Sequence, residues 1–228
     1  MRVPILYEDN HLLLVEKPVN IPVQEDNSRD LDLLNLLKNE IKKRDKKPGN
    51  VYLGLVHRLD RPVGGAMVFA KTSKAAARLS DMMRRQVIER KYWAVVHGVP
   101  KQKEQKLTHH LLKNSRKNQV SVVPSTHPEG KKAVLNYRVL ASQNGLSLLE
   151  VTLETGRPHQ IRVQLSALGH PLFGDQKYGA KLNKVGQQIA LWACALQLEH
   201  PTKKEPVTVF SQPPKAYPWH LWALESFK

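Results

Sequence analysis

One cysteine, Cys194, is all that this 228-residue chain contains, which excludes an internal disulfide and any metal site built from several thiolates. It lies in the apolar run IALWACALQL, where a small buried residue is expected. No apolar stretch reaches the roughly eighteen residues that a membrane-spanning helix needs. No basic amphipathic helix dominates either, so a membrane partner is not expected. The opening MRVPILYEDN lacks the apolar core of a secretory signal, and the expected location is the cytoplasm. Acid is also scarce: 20 Asp and Glu stand against 36 Lys and Arg, a formal charge of +16. Such a charge calls for an anionic partner, and nucleic acid fits it better than a lipid surface.

What is present is organised around residues 54 to 72, GLVHRLDRPVGGAMVFAKT. An apolar approach (Leu53, Leu55, Val56) meets the polar cluster His57, Arg58, Asp60 and Arg61, then Pro62, Gly64 and Gly65, then the apolar run from Ala66 to Ala70. That pattern predicts a strand, a charged turn and a second strand. A carboxylate flanked by Arg58 and Arg61 is expected to stay ionised. At a constrained turn it suits a nucleophile or a base. The same residue types also suit a surface salt bridge beside a β-turn, and spacing alone does not separate the two.

Before this stretch, Leu12 to Val15 reads as a strand between the turn Glu8-Asp9-Asn10 and Lys17-Pro18. Leu33, Leu34, Leu37 and Ile41 recur at helical spacing, which predicts a helix over 31–44 with Ser28 or Asp30 as its cap. The basic run KKRDKKPGN that closes it reads as a solvated loop or a phosphate contact. After the Asp60 turn, Thr72 or Ser73 is expected to cap a second helix reaching Val87, with Ala76, Leu79, Met83 and Val87 as its apolar stripe. VIERKYWAVVHGVP then reads as a strand carrying Tyr92.

Residues 101–132 hold eight Lys or Arg against Glu104 and Glu129, which predicts a hairpin-like insertion with a basic exposed face able to follow a polyanion backbone. AVLNYRVL and LSLLEVTLE alternate and meet at Asn144-Gly145, a hairpin signature. The second opens into TGRPHQIRVQLSALGHPLFGDQKYG, residues 155 to 179. A helix is expected there from Pro158 to Gly169, with Ile161, Leu165 and Leu168 inward and His159 and Arg162 sharing another side. Asp175 reads as a turn residue. The chain closes with an apolar strand from Ile189 to Leu198, a turn at His200-Pro201, the strand VTVF, and a tail packed by Trp219 and Trp222.

HRLD followed by AKT, then ERKYWAVVHG, then GRPHQIR with GHPLFGD resembles, in order, the motifs of the RluA-type pseudouridine synthases. The resemblance spans residues 5 to 179 and gains its specificity from several pieces occurring together. It implies a mixed α/β (α+β) fold, a mostly antiparallel central sheet with flanking helices and a basic cleft. It implies one catalytic domain over 1–228, with no room for the accessory amino-terminal RNA-binding domain of many relatives. Asp60 is then the catalytic aspartate, Tyr92 the tyrosine used against the target base, and Arg162 the arginine that pairs with the aspartate. Arg58 or a neighbour fills the space the base vacates, and Arg61 belongs to the same basic turn. Arg157, His159 and Gln160 line the RNA-facing rim. The partner implied is structured RNA, a ribosomal or transfer RNA stem-loop, met by a monomer that needs neither metal nor redox cofactor.

The chain departs from the family pattern at three places. Val63-Gly64-Gly65 stands where Thr-Ser-Gly is usual, Asn20 replaces a glycine after Lys17-Pro18, and Gln164 sits where histidine is common. Two other classes are weighed against a synthase. A non-catalytic RNA-binding protein on the same scaffold would explain the charge and the lost hydroxyls, but not the intact Asp60, Tyr92 and Arg162. An aspartyl phosphatase would need a second Asp two residues after the first, where this chain has Pro62.

Overall fold

A computed structural model describes residues 2–26 and 28–227. In chain order the first strands and helix are β1 (Ile5–Glu8), β2 (Leu12–Lys17), α1 (Leu33–Arg44), β3 (Gly54–Leu55) and β4 (Gly64–Ala70). Then come α2 (Ser73–Arg84), β5 (Glu89–His97), β6 (Glu104–Asn114), β7 (Gln119–Val123), β8 (Lys131–Gln143) and β9 (Leu146–Leu153). The chain ends with α3 (Gln160–Ala167), β10 (Leu191–Glu199), β11 (Pro206–Phe210) and two short 3-10 turns in the tail. Two compact units result: Met1–Arg90 with Ala193–Ser211, and Lys91–Trp192 with Gln212–Lys228.

The first unit orders its strands β1, β2, β4 and β10, with β11 on β10 and β3 on β4. The β2–β4 register runs antiparallel from Leu12 opposite Ala70 to Lys17 opposite Gly65. Every residue of β4 is buried, as expected of a continuous apolar run in a central strand. Leu12, Leu14, Val68, Leu79, Ile88 and Leu196 share one core. Each such aliphatic side chain contributes about 1.5–3 kcal/mol on full burial. At the end of this sheet Asp9 joins two turns. Its carboxylate accepts from the backbone N–H of His11 (2.8 Å) and Leu12 (2.9 Å) and from His200 Nε2 (2.9 Å). Burial works against its charge, but these N–H groups, Lys203 and His200 outweigh it and hold the carboxyl well below the usual range.

Both helices here differ from expectation at their ends. The cap of α1 is Asp32, accepting from Asn35 N at 3.0 Å, rather than Ser28 or Asp30. The reason is that the first helical N–H groups, of Leu33 and Leu34, donate to Pro22 O and Val23 O at 2.9 and 3.0 Å, which fixes where the helix starts. Thr72 caps α2, and its buried stripe is Ala75, Leu79 and Met82. The helix stops before Val87 because Gln86 turns left-handed, with φ 61°. The N–H groups of Gln86 and Val87 then close on Met83 O and Met82 O, leaving Val87 half-exposed.

The second unit orders β5, β9, β8, β6 and β7, each neighbouring pair antiparallel. Asn144 and Gly145 both take positive φ, 54° and 71°, the geometry of the two-residue hairpin turn. The basic stretch 101–132 forms β6 and β7, and β6 pairs along eight positions with β8. Helix α3 begins at Gln160, two residues later than Pro158, because His159 adopts a left-handed φ of 51°. Gly169, with φ 91°, ends it. Both tail tryptophans lie in the 3-10 region, Trp219 buried and Trp222 half-buried.

Gly65 shows how closely the first unit is packed. Its φ is 117°, and a Cβ there would fall 2.3 Å from Ala193 O. Gly65→Ala is therefore expected to lower the unfolding free energy by about 2 kcal/mol or more. Urea unfolding of the two proteins checks this, and matching midpoints would contradict it.

Candidate active site

The Asp60 segment is irregular from residue 56 to 60 and closes as a tight turn in which Val63 N donates to Asp60 O at 2.9 Å. Pro62 at the third place of this turn removes a donor that the turn does not use. Asp60 is half-buried and Arg58 is exposed. Arg61 does not simply flank the aspartate. Its guanidinium donates to Asn20 O (3.2 Å) and Ser28 Oγ (3.2 Å) and pairs with Asp30. The left-handed Asn20, with φ 64°, thus keeps the turn that a glycine would make, and its carbonyl receives Arg61.

The cation that sequence reasoning missed is Lys17. Its side chain is fully buried, and Nζ donates to Pro18 O (2.9 Å), Arg61 O (3.0 Å) and Val63 O (2.8 Å). Burial pushes the Lys17 pKa down to about 7; the charge of Asp60 opposes that shift and the charge of Arg61 adds to it. Three donors in one ammonium match three carbonyls, two of them, Arg61 O and Val63 O, on the turn, so Lys17 fixes the backbone that carries Asp60. The available signal was its register: as the last residue of β2 it stands opposite Gly65, just past the turn.

His57 is held from the same strand, for Val68 N donates to its Nε2 at 3.0 Å. An accepting Nε2 leaves the ring proton on Nδ1, so the imidazole is neutral. Burial, followed by the positive charge of Arg90, keeps its pKa well below the ordinary histidine value.

In the second unit, Arg162 is buried and bidentate to Asp175, with Nε to Oδ2 at 2.8 Å and Nη2 to Oδ1 at 2.9 Å. Asp175 is more than the expected turn residue. It is fully buried, and its Oδ1 also accepts from Lys177 N and Tyr178 N, at 2.9 and 3.2 Å. The Tyr178 ring lies 5.2 Å from the Arg162 guanidinium carbon, within cation–π range. Its hydroxyl accepts from Val120 N (2.9 Å) and meets His159 Nδ1 (2.7 Å). Asp175 and Tyr178 therefore set the place of Arg162 and His159, roles that the D-x-x-Y spacing alone did not reveal.

Of the three expected rim residues, Arg157 is exposed and donates through Nε to Lys132 O at 3.0 Å. Gln160 departs from the rim reading. It is buried, with Oε1 accepting from Arg157 N (2.9 Å) and Thr155 Oγ1 (2.8 Å) and Nε2 donating to Val134 O (3.0 Å). Its amide is committed to the turn before α3, because a buried amide needs all its partners. Tyr92 is buried in β5, opposite Val151 of β9.

Residues 11–167 match the RNA pseudouridylate synthase family, and the chain belongs to that family, whose RluA-type motifs it carries. It is 32% identical over 212 residues to ribosomal large subunit pseudouridine synthase C of Buchnera aphidicola subsp. Baizongia pistaciae, covering 90% of this chain and 65% of that protein. An uncharacterized RNA pseudouridine synthase of Zymomonas mobilis is 33% identical over 215 residues, covering 93% of this chain and 94% of the relative. Among solved structures, human RNA pseudouridylate synthase domain containing 4 is similar at a TM-score of 0.78 and 25% identity, over 93% of this chain and 89% of that one. The chain thus spans slightly under two thirds of the length of several relatives, the ribosomal synthase C among them.

Two outcomes follow from this geometry. Lys17→Met keeps most of the buried stem but strands three carbonyls, and is expected to cost on the order of 2 kcal/mol in unfolding free energy; an unchanged urea midpoint would remove Lys17 from its anchoring role. For His57 the expectation concerns pH. An unfolded histidine takes up a proton near pH 6.5, whereas folded His57 stays neutral. Below about pH 6.5 the unfolded state holds the extra proton, so stability falls as pH drops. Parent protein is expected to lose stability relative to His57→Gln between about pH 7 and pH 5. Parallel stability profiles for the two would refute this.

Proposed function

We propose that this chain is an RNA pseudouridine synthase, an isomerase that converts uridines of structured RNA to pseudouridine. The observation that carries this reading is the anchored aspartate: Asp60 sits in a turn closed by its own carbonyl and held by Lys17, inside the region that matches the family. The substrate is a ribosomal or transfer RNA stem-loop in the cytoplasm, consistent with the net charge of +16 and with the ribosomal synthase names among its relatives.

The target uracil must leave the helical stack, which costs a few kcal/mol and is offset by contacts to the backbone. Arg58, exposed at the Asp60 turn, is suited to occupy the space left behind. Asp60 then acts as nucleophile or base while the bond from C1′ to N1 breaks and a bond from C1′ to C5 forms. The hydrogen on C5 leaves as a proton and N1 gains one, so the base is neither oxidised nor reduced. The family resemblance assigns Tyr92 to the base and Arg162, oriented by Asp175, to the support of the ionised carboxylate. Arg157 and His159 serve the RNA-facing rim.

The missing Thr-Ser pair does not weaken this reading. Val63 is a buried core residue whose carbonyl accepts from Lys17, so its part in the turn is played by the backbone. A non-catalytic RNA-binding role on the same scaffold is the competing outcome. Tritium release from bacterial transfer and ribosomal RNA labelled at uridine C5 separates the two. Parent protein is expected to release label, and Asp60→Ala to release none while still binding the RNA. Binding without release by the parent would set the synthase reading aside in favour of the binding protein.

A further inference from the structure

The basic run that closes α1 has no part in the roles above. Lys42, Lys43, Lys46 and Lys47 are all exposed, and among the described residues no carboxylate pairs with any of them. Two nearby acids are already matched. Asp45 accepts from Arg44 Nε at 2.7 Å, and Glu8 accepts from Arg44 Nη1 and Lys71 Nζ, each at 2.7 Å. Cations in the last turn of a helix offset its dipole, which accounts for Lys42 and Lys43. It does not account for Lys46 and Lys47, which lie past the helix end.

Lys46 also stands where the backbone favours glycine. Lys46 N donates to Lys43 O (3.4 Å) and Lys47 N to Lys42 O (3.1 Å), the paired bonds of a helix stop whose left-handed residue is usually glycine. Lys46 takes that place at φ 48°, with a steric strain that glycine would avoid. A long cation held at a strained position among like charges is explained by an anion that meets it.

Beside it lies an open cleft of about 430 Å³. Lys47, Asn10, Asn50 and Tyr52 line it and are exposed, and the buried Val51 and Leu53 add apolar lining. Among the described residues the two amides, the Tyr52 hydroxyl and the Lys47 ammonium meet no hydrogen-bond partner. Such a lining suits one nucleotide: apolar surface and an accessible ring for a flat base, amides for its polar edge, and ammonium groups for the phosphates. Lys71, the residue after β4, also lines the cleft, whereas the Asp60 turn enters β4 at its opposite end. A strand of this length, at about 3.3 Å per residue, separates the two places by roughly 20 Å.

We infer that the end of α1 and this cleft form a second RNA subsite, Lys46 and Lys47 meeting backbone phosphates and the cleft taking one unpaired base. This rests on the RNA reading of the preceding section but not on catalysis. An anionic lipid surface offers phosphates too; the net charge of +16 together with the family membership favours RNA.

The test is the salt dependence of binding to polyuridine and to bulk bacterial ribosomal RNA, for parent protein, Lys46→Gly, Lys47→Gln and Tyr52→Ala. One lost phosphate contact lowers the slope of log affinity against log salt by about 0.7 on a single strand. Lys46→Gly is expected to show that drop on polyuridine and several-fold weaker binding at low salt, although its thermal midpoint stays parental or rises. Lys47→Gln repeats the comparison without touching the strained backbone position. Tyr52→Ala is expected to bind several-fold more weakly at the parental slope, since a lost stacking contact releases no counterion. At saturating RNA all three variants are expected to release tritium at the parental rate. A parental slope in Lys46→Gly or Lys47→Gln, or parental affinity in Tyr52→Ala, overturns the inference. Slower release at saturation assigns these residues to the Asp60 site and also overturns it. So does capture of the parent by phosphatidylserine vesicles that Lys46→Gly abolishes while its RNA binding stays parental. Parent protein that binds RNA without tritium release defeats the synthase reading alone, and the slopes still decide the subsite. Parent protein that binds neither RNA defeats both.

Discussion

The Lys17 ammonium is the constraint on which the first unit's site depends. It is buried at the end of β2 and donates to carbonyls on both sides of Pro62. One hydrogen bond from Val63 N closes the turn, and Pro62 cannot donate. Without Lys17 the carbonyls of Arg61 and Val63 would lose the donor they share. Positioning a reacting group is worth several kcal/mol of barrier only when the geometry is held before substrate arrives.

The second unit meets the same requirement by a different device. Here the cation itself is the functional candidate, and a carboxylate fixes it. Asp175 grips Arg162 through both oxygens while its backbone neighbours cap the same carboxylate. Tyr178 then covers the guanidinium face and ties His159 to β7 through Val120 N. A buried ion pair is weak evidence for stability, since desolvation offsets much of the attraction. Its value lies in geometry: a bidentate pair fixes the plane of the guanidinium.

Much of this was legible in the sequence, and the boundary follows the range of the physics involved. Alternation and turn chemistry located β8, β9 and the Asn144-Gly145 hairpin, because those signals are local. Helical periodicity found α1 and α2 but misplaced the cap of one and the stripe of the other. The start of α1 was decided by the Pro22 and Val23 carbonyls, each eleven residues before its donor, and the end of α2 by a left-handed glutamine that no composition rule favours. Motif resemblance named Asp60, Tyr92 and Arg162. It did not reveal Lys17 as an anchor, nor Asp175 as the holder of Arg162, since both act through contacts 13 to 46 residues away in sequence. Gln160 shows the reverse error: a polar residue in a basic motif was expected at the rim and is instead a buried clamp.

The departures from the family pattern can be sorted by whether side chain or backbone carries the local role. At position 20 the requirement is a left-handed backbone, and Asn meets it at φ 64° with little strain. At position 65 the usual glycine is kept, and the requirement is close approach to Ala193. At position 63 the carbonyl serves Lys17 while the side chain enters the core, so valine fits where a hydroxyl residue is usual. At position 164 the side chain matters: Gln164 is fully buried and its Nε2 reaches His109 Nδ1 at 2.9 Å, bridging α3 to β6. Its Oε1 has no partner among the described residues, so this substitution is the least well accommodated of the three. The constraints described for the Asp60 turn fall on backbone groups, the carbonyls of Arg61 and Val63 on Lys17 and the Val63 N–H on Asp60 O.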